Sequence, residues 1–373
     1  MRRLYRFTSR QILMILSSLE TILRKTGRTD LKEALEEAGT EMVFCATEEK
    51  FRSAIPADGR GLVVVTDDSF VLKRLKEMDV YDPQNIFSVG AEHIEAVDSI
   101  LRAARPTVVV GFGGGRVLDV AKMAAFRADV PLISVPTAPT HDGLLSRNCS
   151  LIMDGKKVSF VTKYPSKIVI PEHMWRVSGD LEKAGRLDVL SNITALQDVS
   201  LAIREQAFTP ANERMSMAAD AVIRTLSDKS EDSLAEALFL SGLAMHESSR
   251  YCSGSEHELE KLLSPALGPR YFHGQLAGGG ALLVSLVYKK NASKMPTGLF
   301  FDPSALYDEL VSTYKEHGLL GYALAPFLEN DHGKIAETLR GASGVRPKRY
   351  TLWDKIDSKS VPWRDVLKEV SML

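Results

Sequence analysis

The chain has 373 residues, 45% hydrophobic and 25% charged, enough to bury a large core and too many for one ordinary domain. With 47 Lys and Arg against 48 Asp and Glu, it lacks the electrostatic footprint of a nucleic-acid binder or of a protein held on an anionic membrane, so a small molecule is the expected partner. Three cysteines, Cys45, Cys149 and Cys252, are too few for a disulfide framework and form no CxxC pair, which suits a reducing cytoplasm.

The opening MRRLYRFTSRQILMILSSLE has a basic head, but its apolar stretch is broken by Gln11 and Ser17 and closed by Glu20, with no small-residue cleavage site. It reads as an amphipathic helix. No later segment reaches the roughly 20 apolar residues a bilayer span needs, so the protein is not expected to be membrane-integral. From about residue 40 to 170, short β-branched runs (MVFC, GLVVVT, NIFSV, TVVVGF, PLISVP) alternate with amphipathic stretches. That alternation predicts a doubly wound parallel α/β sheet. SLIMDGKKVSFV turns at Asp154-Gly155, a type I′ hairpin signal, and is placed at the sheet edge. After KIVIP the strand signals stop and long helical patterns follow, predicting an all-helical second half. The domains are therefore drawn as 1–171, α/β and dinucleotide-binding, and 172–373, helical and metal- and substrate-binding. A homo-oligomer is expected.

The strand ending at Val110 feeds into Gly111-Phe112-Gly113-Gly114-Gly115, and a helix follows at once. A strand, a glycine turn and a helix N-terminus make an anion site, because unpaired backbone N–H groups and the helix dipole face a ligand that can approach where Cβ atoms are absent. The spacing is not the ordinary dinucleotide fingerprint, since Arg116 stands where its third glycine would be. The competing reading is close packing of helix on strand. Asp119 and Lys122 are either a solvated pair or a brace beneath the loop. Asp67 and Asp68 end the strand GLVVVT, where an acid can bond ribose hydroxyls and favour NAD over NADP, although strand-end aspartates also cap helices. Beyond PLISVP lies a polar loop with Thr137, Thr140, His141, Asp142 and Ser146, at the carboxyl end of a strand where such sheets bind ligands.

In the second half, His257 in SGSEHELEKLL and His273 in YFHGQLAGGG are separated by Pro265 and Gly268-Pro269, which places them on separate helices, and Asp188 opens a third. Two imidazoles and a carboxylate leave a coordination position open, as a catalytic metal requires. Spacing alone does not bring the three together. Lys261 lies one turn after His257 on the same helix face and can hold an anion, or it is simply solvated.

Read in order, GFGGGRVLDVAK, PLISVPTAPTHDGLLS, AGRLDVLSNITALQD, SGSEH and FHG resemble the glycerol-1-phosphate dehydrogenases, within the dehydroquinate synthase-like and iron-containing alcohol dehydrogenase-like superfamily. The match runs from about residue 60 to KRYTLWD and is weakest in the first sixty residues. The resemblance implies that Asp188, His257 and His273 are the catalytic metal ligands, for zinc or alternatively iron or nickel. It places the cofactor, NAD or NADP, on Gly114, Gly115 and Asp119, with Thr137, Thr140 and Ser146 as further contacts; Gly113, Arg116 and Val117 of the same loop and Asp67 at the neighbouring strand end are candidates read from the residues. Asp142 is the implied substrate contact, and Asp188, as a metal ligand, and Lys261, from its place on the helix, are candidate substrate contacts beside it. The implied reaction is reduction of dihydroxyacetone phosphate to sn-glycerol 1-phosphate. Three positions depart from the family pattern: Lys261 replaces a histidine, Gln275 replaces the acid of HGE, and Leu187 replaces a glycine. They leave two alternatives open, an unphosphorylated polyol dehydrogenase and a dehydroquinate synthase-like lyase. Retention of all three ligands argues against a non-catalytic descendant.

Overall fold

The computed structural model describes residues 10–27, 29–56, 59, 61–67, 70–175 and 179–373. Its contacts divide the chain into two units, Asp30–Glu182 and a second that joins the first helix, α1 (Arg10–Thr26), to Lys183–Leu373.

The first unit is α/β. Its strands are β1 (Glu41–Cys45), β2 (Leu62–Thr66), β3 (Ile86–Ser88), β4 (Val108–Gly113), β5 (Leu132–Pro136), β6 (Asn148–Met153), β7 (Lys156–Val161) and β8 (Lys167–Pro171). Its helices are α2 (Leu31–Glu37), α3 (Glu48–Ala54), α4 (Phe70–Met78), α5 (Ile94–Ala103), α6 (Gly115–Ala128) and α7 (Glu172–Trp175). Among the described residues six strands form one parallel sheet in the order β1-β8-β5-β4-β2-β3. The continuous apolar run Leu62–Val65 is buried throughout, as a strand covered on both faces must be. Val63, Val65 and Val109 face a core built with α5 and α6, while Val64, Val110 and Phe112 face one that includes Phe51 and Leu75.

The hairpin β6–β7 turns at Asp154 (φ 52°) and Gly155 (φ 72°), the two left-handed residues a type I′ turn needs. It does not extend the parallel sheet, as expected from sequence, but forms a separate two-stranded sheet. The reason is its apolar face: Cys149 and Leu151 are buried with Val117, Val120 and Ala121 of α6. A parallel bridge joins Ile152 of the hairpin to His93, the N-cap residue of α5.

The second unit is helical: α1, most of α8 (Gly179–Arg204), then α9 (Asn212–Ser227), α10 (Glu231–Ala244), α11 (Ser255–Leu267), α12 (His273–Lys290), α13 (Leu306–Glu316), α14 (Leu320–Leu328), α15 (His332–Leu339), α16 (Leu352–Lys355) and α17 (Trp363–Val370). The boundary expected at Pro171 thus falls inside α8, and the opening helix joins the opposite unit. Its apolar stripe explains the transfer, since Ile15, Leu16, Leu19, Ile22 and Leu23 are buried where α1 packs on α9 and α13.

Helix α8 is buried on all sides from Ala184 to Ala202, so its polar residues need internal partners. Asn192 donates to Ser241, Gln197 to the Phe301 carbonyl, and Thr194 to Glu256. Helix α12 is buried from Gly274 to Tyr288, and Gly278-Gly279-Gly280 lets three neighbours approach closely. A Cβ at these positions would lie 2.7 Å from Leu187, 2.7 Å from the Ala323 carbonyl and 2.8 Å from the Glu256 carbonyl. Leu187, which departs from the family pattern, packs over Gly278. Among the described residues no helix is long and apolar enough to cross a membrane, and the three cysteines are free and buried.

Candidate metal centre and nucleotide loop

Asp188 does not open its helix, as expected, but lies mid-way along α8 with no exposed surface. His257 is in the first turn of α11, and His273 is the first residue of α12. The break between these helices is at Gly268 (φ 76°), whereas Pro265 is accommodated inside α11.

Tertiary structure brings all three together. His257 Nε2 is 3.2 Å from His273 Nε2, and Asp188 Oδ1 lies 3.6 Å and 3.4 Å from those two nitrogens. Close approach depends on Gly274: a Cβ there would sit 2.0 Å from the Ala184 carbonyl oxygen and 2.9 Å from Asp188 Cβ. Helix α12 could not then bring His273 onto Asp188.

The outward nitrogens of both rings meet carboxylates. His257 Nδ1 lies 2.8 Å from Glu256 Oε1, and His273 Nδ1 is 3.1 Å from Glu260 Oε1. Glu256 is itself held by the Gly254 N–H at 2.6 Å and the Thr194 hydroxyl at 3.1 Å. A carboxylate on Nδ1 selects the tautomer that leaves the Nε2 lone pair facing inward. Two such lone pairs and a carboxylate oxygen within 4 Å of one another need a cation or a shared proton between them. Burial opposes charging the His257 ring, but Asp188 and Glu256 outweigh it and push its pKa up to about 10. The cluster is therefore strongly electronegative. A tetrahedral ion with bonds of about 2.0–2.1 Å has ligand-to-ligand edges of about 3.3–3.4 Å, and the observed edges bracket that value. The residues fit a divalent metal.

Sequence reasoning did not single out Glu256 and Glu260. The available signal was three acids, Glu256, Glu258 and Glu260, within three residues of His257 in the first turns of α11. Gln275 turns elsewhere: its Nε2 donates to the Tyr322 carbonyl at 2.8 Å, a bond the glutamate of the family pattern could not make. Lys261 is half-buried on α11, one turn beyond His257.

In the α/β unit, the four glycines divide between the two roles considered for them. A Cβ on Gly111 would lie 2.8 Å from Ala121, and one on Gly113 2.8 Å from Val117, so both serve packing. Gly114, the N-cap of α6, has open space over it, and no side chain caps the helix. The first-turn N–H groups, those of Gly115, Arg116 and Val117, are left without helical acceptors. The His141 ring lies against Gly115, where a Cβ would fall 2.1 Å from its Nε2, and its Nδ1 accepts the Gly143 N–H at 2.9 Å.

Thr137 donates its N–H to the Gly113 carbonyl at 3.2 Å, which sets it beside the turn. Val65 pairs with Gly111, so Asp67 lies level with Gly113 at the strand ends. Asp68 lies outside the described residues. Thr140 is half-buried, and Asp142 is buried at the start of a single 3₁₀ turn. The buried Ser146 hydroxyl accepts the Asn148 N–H at 3.0 Å.

The pair Asp119 and Lys122 is not solvated, and it does not brace the glycine turn. Lys122 is 2% exposed and donates to the carbonyls of Gly143 and Asn148 at 2.6 Å and 3.0 Å, while Asp119 accepts the Ser150 N–H at 3.0 Å. The two fasten the hairpin and the polar loop to α6. Burial raises the Asp119 pKa, against the lowering effect of Lys122.

The family model for iron-containing alcohol dehydrogenases matches residues 44–175. A glycerol-1-phosphate dehydrogenase (NAD(P)+) of Thermococcus sibiricus is 31% identical over 296 residues, covering 76% of this chain and 79% of the relative. One from Methanothrix thermoacetophila is 31% identical over 272 residues, covering 69% and 72%. Among solved structures, a probable glycerol dehydrogenase from Sinorhizobium meliloti superposes with a TM-score of 0.60 at 18% identity, covering 89% of this chain and 96% of its own. A sulfoacetaldehyde reductase from Bifidobacterium kashiwanohense, in complex with NAD+, does so at 0.59 and 17%, covering 90% and 97%. These two likenesses bear on the fold. With nearly a third of positions identical over more than two thirds of each relative, the chain is a dehydrogenase and belongs to the glycerol-1-phosphate dehydrogenase family.

Proposed function

We propose that this dehydrogenase reduces the ketone of dihydroxyacetone phosphate to sn-glycerol 1-phosphate with NADH or NADPH. The observation that carries the reading is the convergence of Asp188, His257 and His273 at 3.2–3.6 Å, each histidine backed by a carboxylate. When bound, the metal supplies Lewis-acid stabilisation of the charge developing on the carbonyl oxygen, and the reduced nicotinamide supplies the hydride. The protein's own part is to fix the ligands. Glu256 and Glu260 set both tautomers, and burial of Asp188 and His257 keeps water from competing. The edge lengths favour a tetrahedral ion, which makes zinc our choice over iron or nickel.

In the α/β unit, the uncapped first turn of α6 takes the cofactor pyrophosphate, with Gly113, Gly114, Gly115, Arg116 and Val117 lining it and Thr137 beside it. Asp67, level with Gly113, bonds the ribose and disfavours a 2′-phosphate, so NADH is the preferred donor. Thr140 and Ser146 complete the cofactor contacts. Asp119 acts at one remove, by positioning the hairpin. Asp142 and Asp188 contact the substrate, and Lys261 holds its phosphate. Three buried free thiols suit a reducing cytoplasm.

The test is NADH and NADPH oxidation by zinc-loaded protein with dihydroxyacetone phosphate and, separately, dihydroxyacetone. Preference for the phosphorylated ketone supports the proposal. Equal or better use of dihydroxyacetone transfers the chain to polyol oxidation, and no oxidation of either cofactor with either ketone rejects the reading.

A further inference from the structure

The three helices that carry the candidate ligands share a second meeting point, away from the metal centre. Asp198, 2% exposed, lies on α8 about 15 Å along the helix axis from Asp188. Its Oδ2 accepts the N–H of Ser255, the first residue of α11, at 2.6 Å. Its Oδ1 accepts the Tyr288 hydroxyl of α12 at 2.6 Å and the N–H of Leu352, the first residue of α16, at 3.1 Å. One carboxylate thus bonds α11 and α12 to the helix that bears Asp188. The Ser255 peptide is also held by its carbonyl, which accepts the Trp353 indole N–H at 3.2 Å.

The way α11 begins calls for such a group. Its N-cap, Gly254, has no side chain to accept a first-turn N–H, and buried N–H groups at a helix start need an acceptor from elsewhere. Asp198 supplies one from another helix, with the charge a helix N-terminus favours. The approach requires glycine at position 254, where a Cβ would lie 2.5 Å from Asp198 Oδ2 and 2.9 Å from Ala195 Cα. Filling this space would not require an acid. Burial, then the neighbouring Glu256, push the Asp198 pKa up to about 7, against the bonds from Tyr288 and the Ser255 N–H. A carboxylate this unfavourable to charge is kept by the donors it joins.

The consequence lies two residues on. Ser255 is followed by Glu256 and His257, and Glu260 of the same helix backs His273. Helices α8 and α12 run side by side, with Gly274 against Ala184 and Gly278 against Leu187, so Asp188 and His273 are set by that pair. A displaced start of α11 would move His257 and the carboxylates behind both rings as one body. We infer that Asp198 is a positioning residue of the metal centre, holding α11 in place on α8 and α12 so that His257 meets Asp188 and His273. This rests on the metal centre proposed above and extends it to a residue that touches neither metal nor substrate.

The experiment compares Asp198→Asn and Tyr288→Phe with the wild-type protein, using zinc in a chelator competition and cobalt(II) as a spectroscopic substitute. Asparagine keeps the shape, but in either orientation its amide NH2 faces a backbone N–H, that of Ser255 or of Leu352, which it cannot accept. Asp198→Asn should weaken zinc binding by about 10-fold, the low end of what groups supporting a metal ligand contribute, and should alter the visible absorption of the cobalt protein, which reports ligand geometry. Tyr288→Phe leaves the Ser255 and Leu352 bonds in place and should move both readouts the same way by less, about threefold in zinc Kd. The Kd for NADH should stay within about twofold in both. A lowered Tm with zinc Kd within twofold of the wild type and an unchanged cobalt spectrum would reduce Asp198 to a structural tie and overturn the inference. If Asp198→Asn does not fold, Tyr288→Phe decides by the same two readouts. Neither readout depends on turnover. Wild-type protein that binds zinc no better than His257→Ala would sink the metal centre itself, whereas bound zinc that neither variant loosens would sink the role of Asp198 alone.

Discussion

The glycine turn of the α/β unit and the Asp188–His257–His273 cluster of the helical unit both prepare a place for a charged ligand, by opposite means. The turn is local. A strand, Gly114 and the first turn of α6 supply backbone N–H groups from consecutive residues, and Thr137 and His141, from the loop after β5, lie against it. The cluster is non-local, with three helices contributing one side chain each and a second layer of Glu256 and Glu260 fixing the rings. Backbone N–H groups in a turn tolerate neighbouring substitutions that keep the backbone path. A metal site built from three helices depends on helix spacing to within a fraction of an ångström.

That contrast orders the expected effects. Removing a ligand should be the most severe: His257→Ala should lose zinc on dialysis, measured by elemental analysis, and lower kcat/KM at least about 1,000-fold. Retained zinc and activity would show that the cluster is not the metal centre. Next comes the carboxylate layer, where Glu260→Gln keeps shape and removes charge. It should weaken zinc affinity by about 10–100-fold in a chelator competition, while circular dichroism and NADH binding remain as in the wild type. Zinc affinity within twofold of the wild type would make Glu260 a structural partner only.

The nucleotide turn should give a smaller, repairable effect. Gly115→Ala places a methyl 2.1 Å from His141 Nε2, so NADH binding should weaken by about 10-fold in a fluorescence titration, with zinc content unchanged. His141→Ala in the same chain should restore it. If the double variant is no better than the single, the clash with His141 is not the cause.

The smallest effect concerns stability alone. Burial, then the nearby Lys229 and Arg186, hold His317 down at about 4, so the folded state favours the neutral ring. Its contribution is complete above the unfolded pKa near 6.5 and is lost as pH falls towards 4. His317→Asn should therefore flatten the decline of Tm between pH 6.5 and 4, by no more than about 2–4 °C. An unaltered profile would show that acid sensitivity arises elsewhere.

Much of this molecule was legible without coordinates, because its signals are local. The strand and helix order from residue 41 to 171 follows from β-branched runs that alternate with amphipathic periods. Asp154-Gly155 announced its turn because few residues other than Asn, Asp and Gly sit readily at positive φ. The glycine turn was legible too, but not which glycine does what: Gly111 and Gly113 pack while Gly114 stays open, and only the approach of Ala121 and Val117 separates them. Three other features depended on what each segment meets in space. The hairpin left the sheet edge because Cys149 and Leu151 found α6. Helix α1 joined the helical unit because its apolar stripe found α9 and α13. Asp119 turned to Ser150 instead of the glycine turn.

The three candidate ligands mark the division most clearly. The sequence by itself determined their chemistry: a carboxylate and two imidazoles on separate helices, in the order the family shares. Their meeting was decided by tertiary structure, through Gly274 letting α12 close on α8, and so was the carboxylate behind each histidine. Residue type and local periodicity are written along the chain. The few tenths of an ångström that turn three polar side chains into one site come from packing between helices far apart in it.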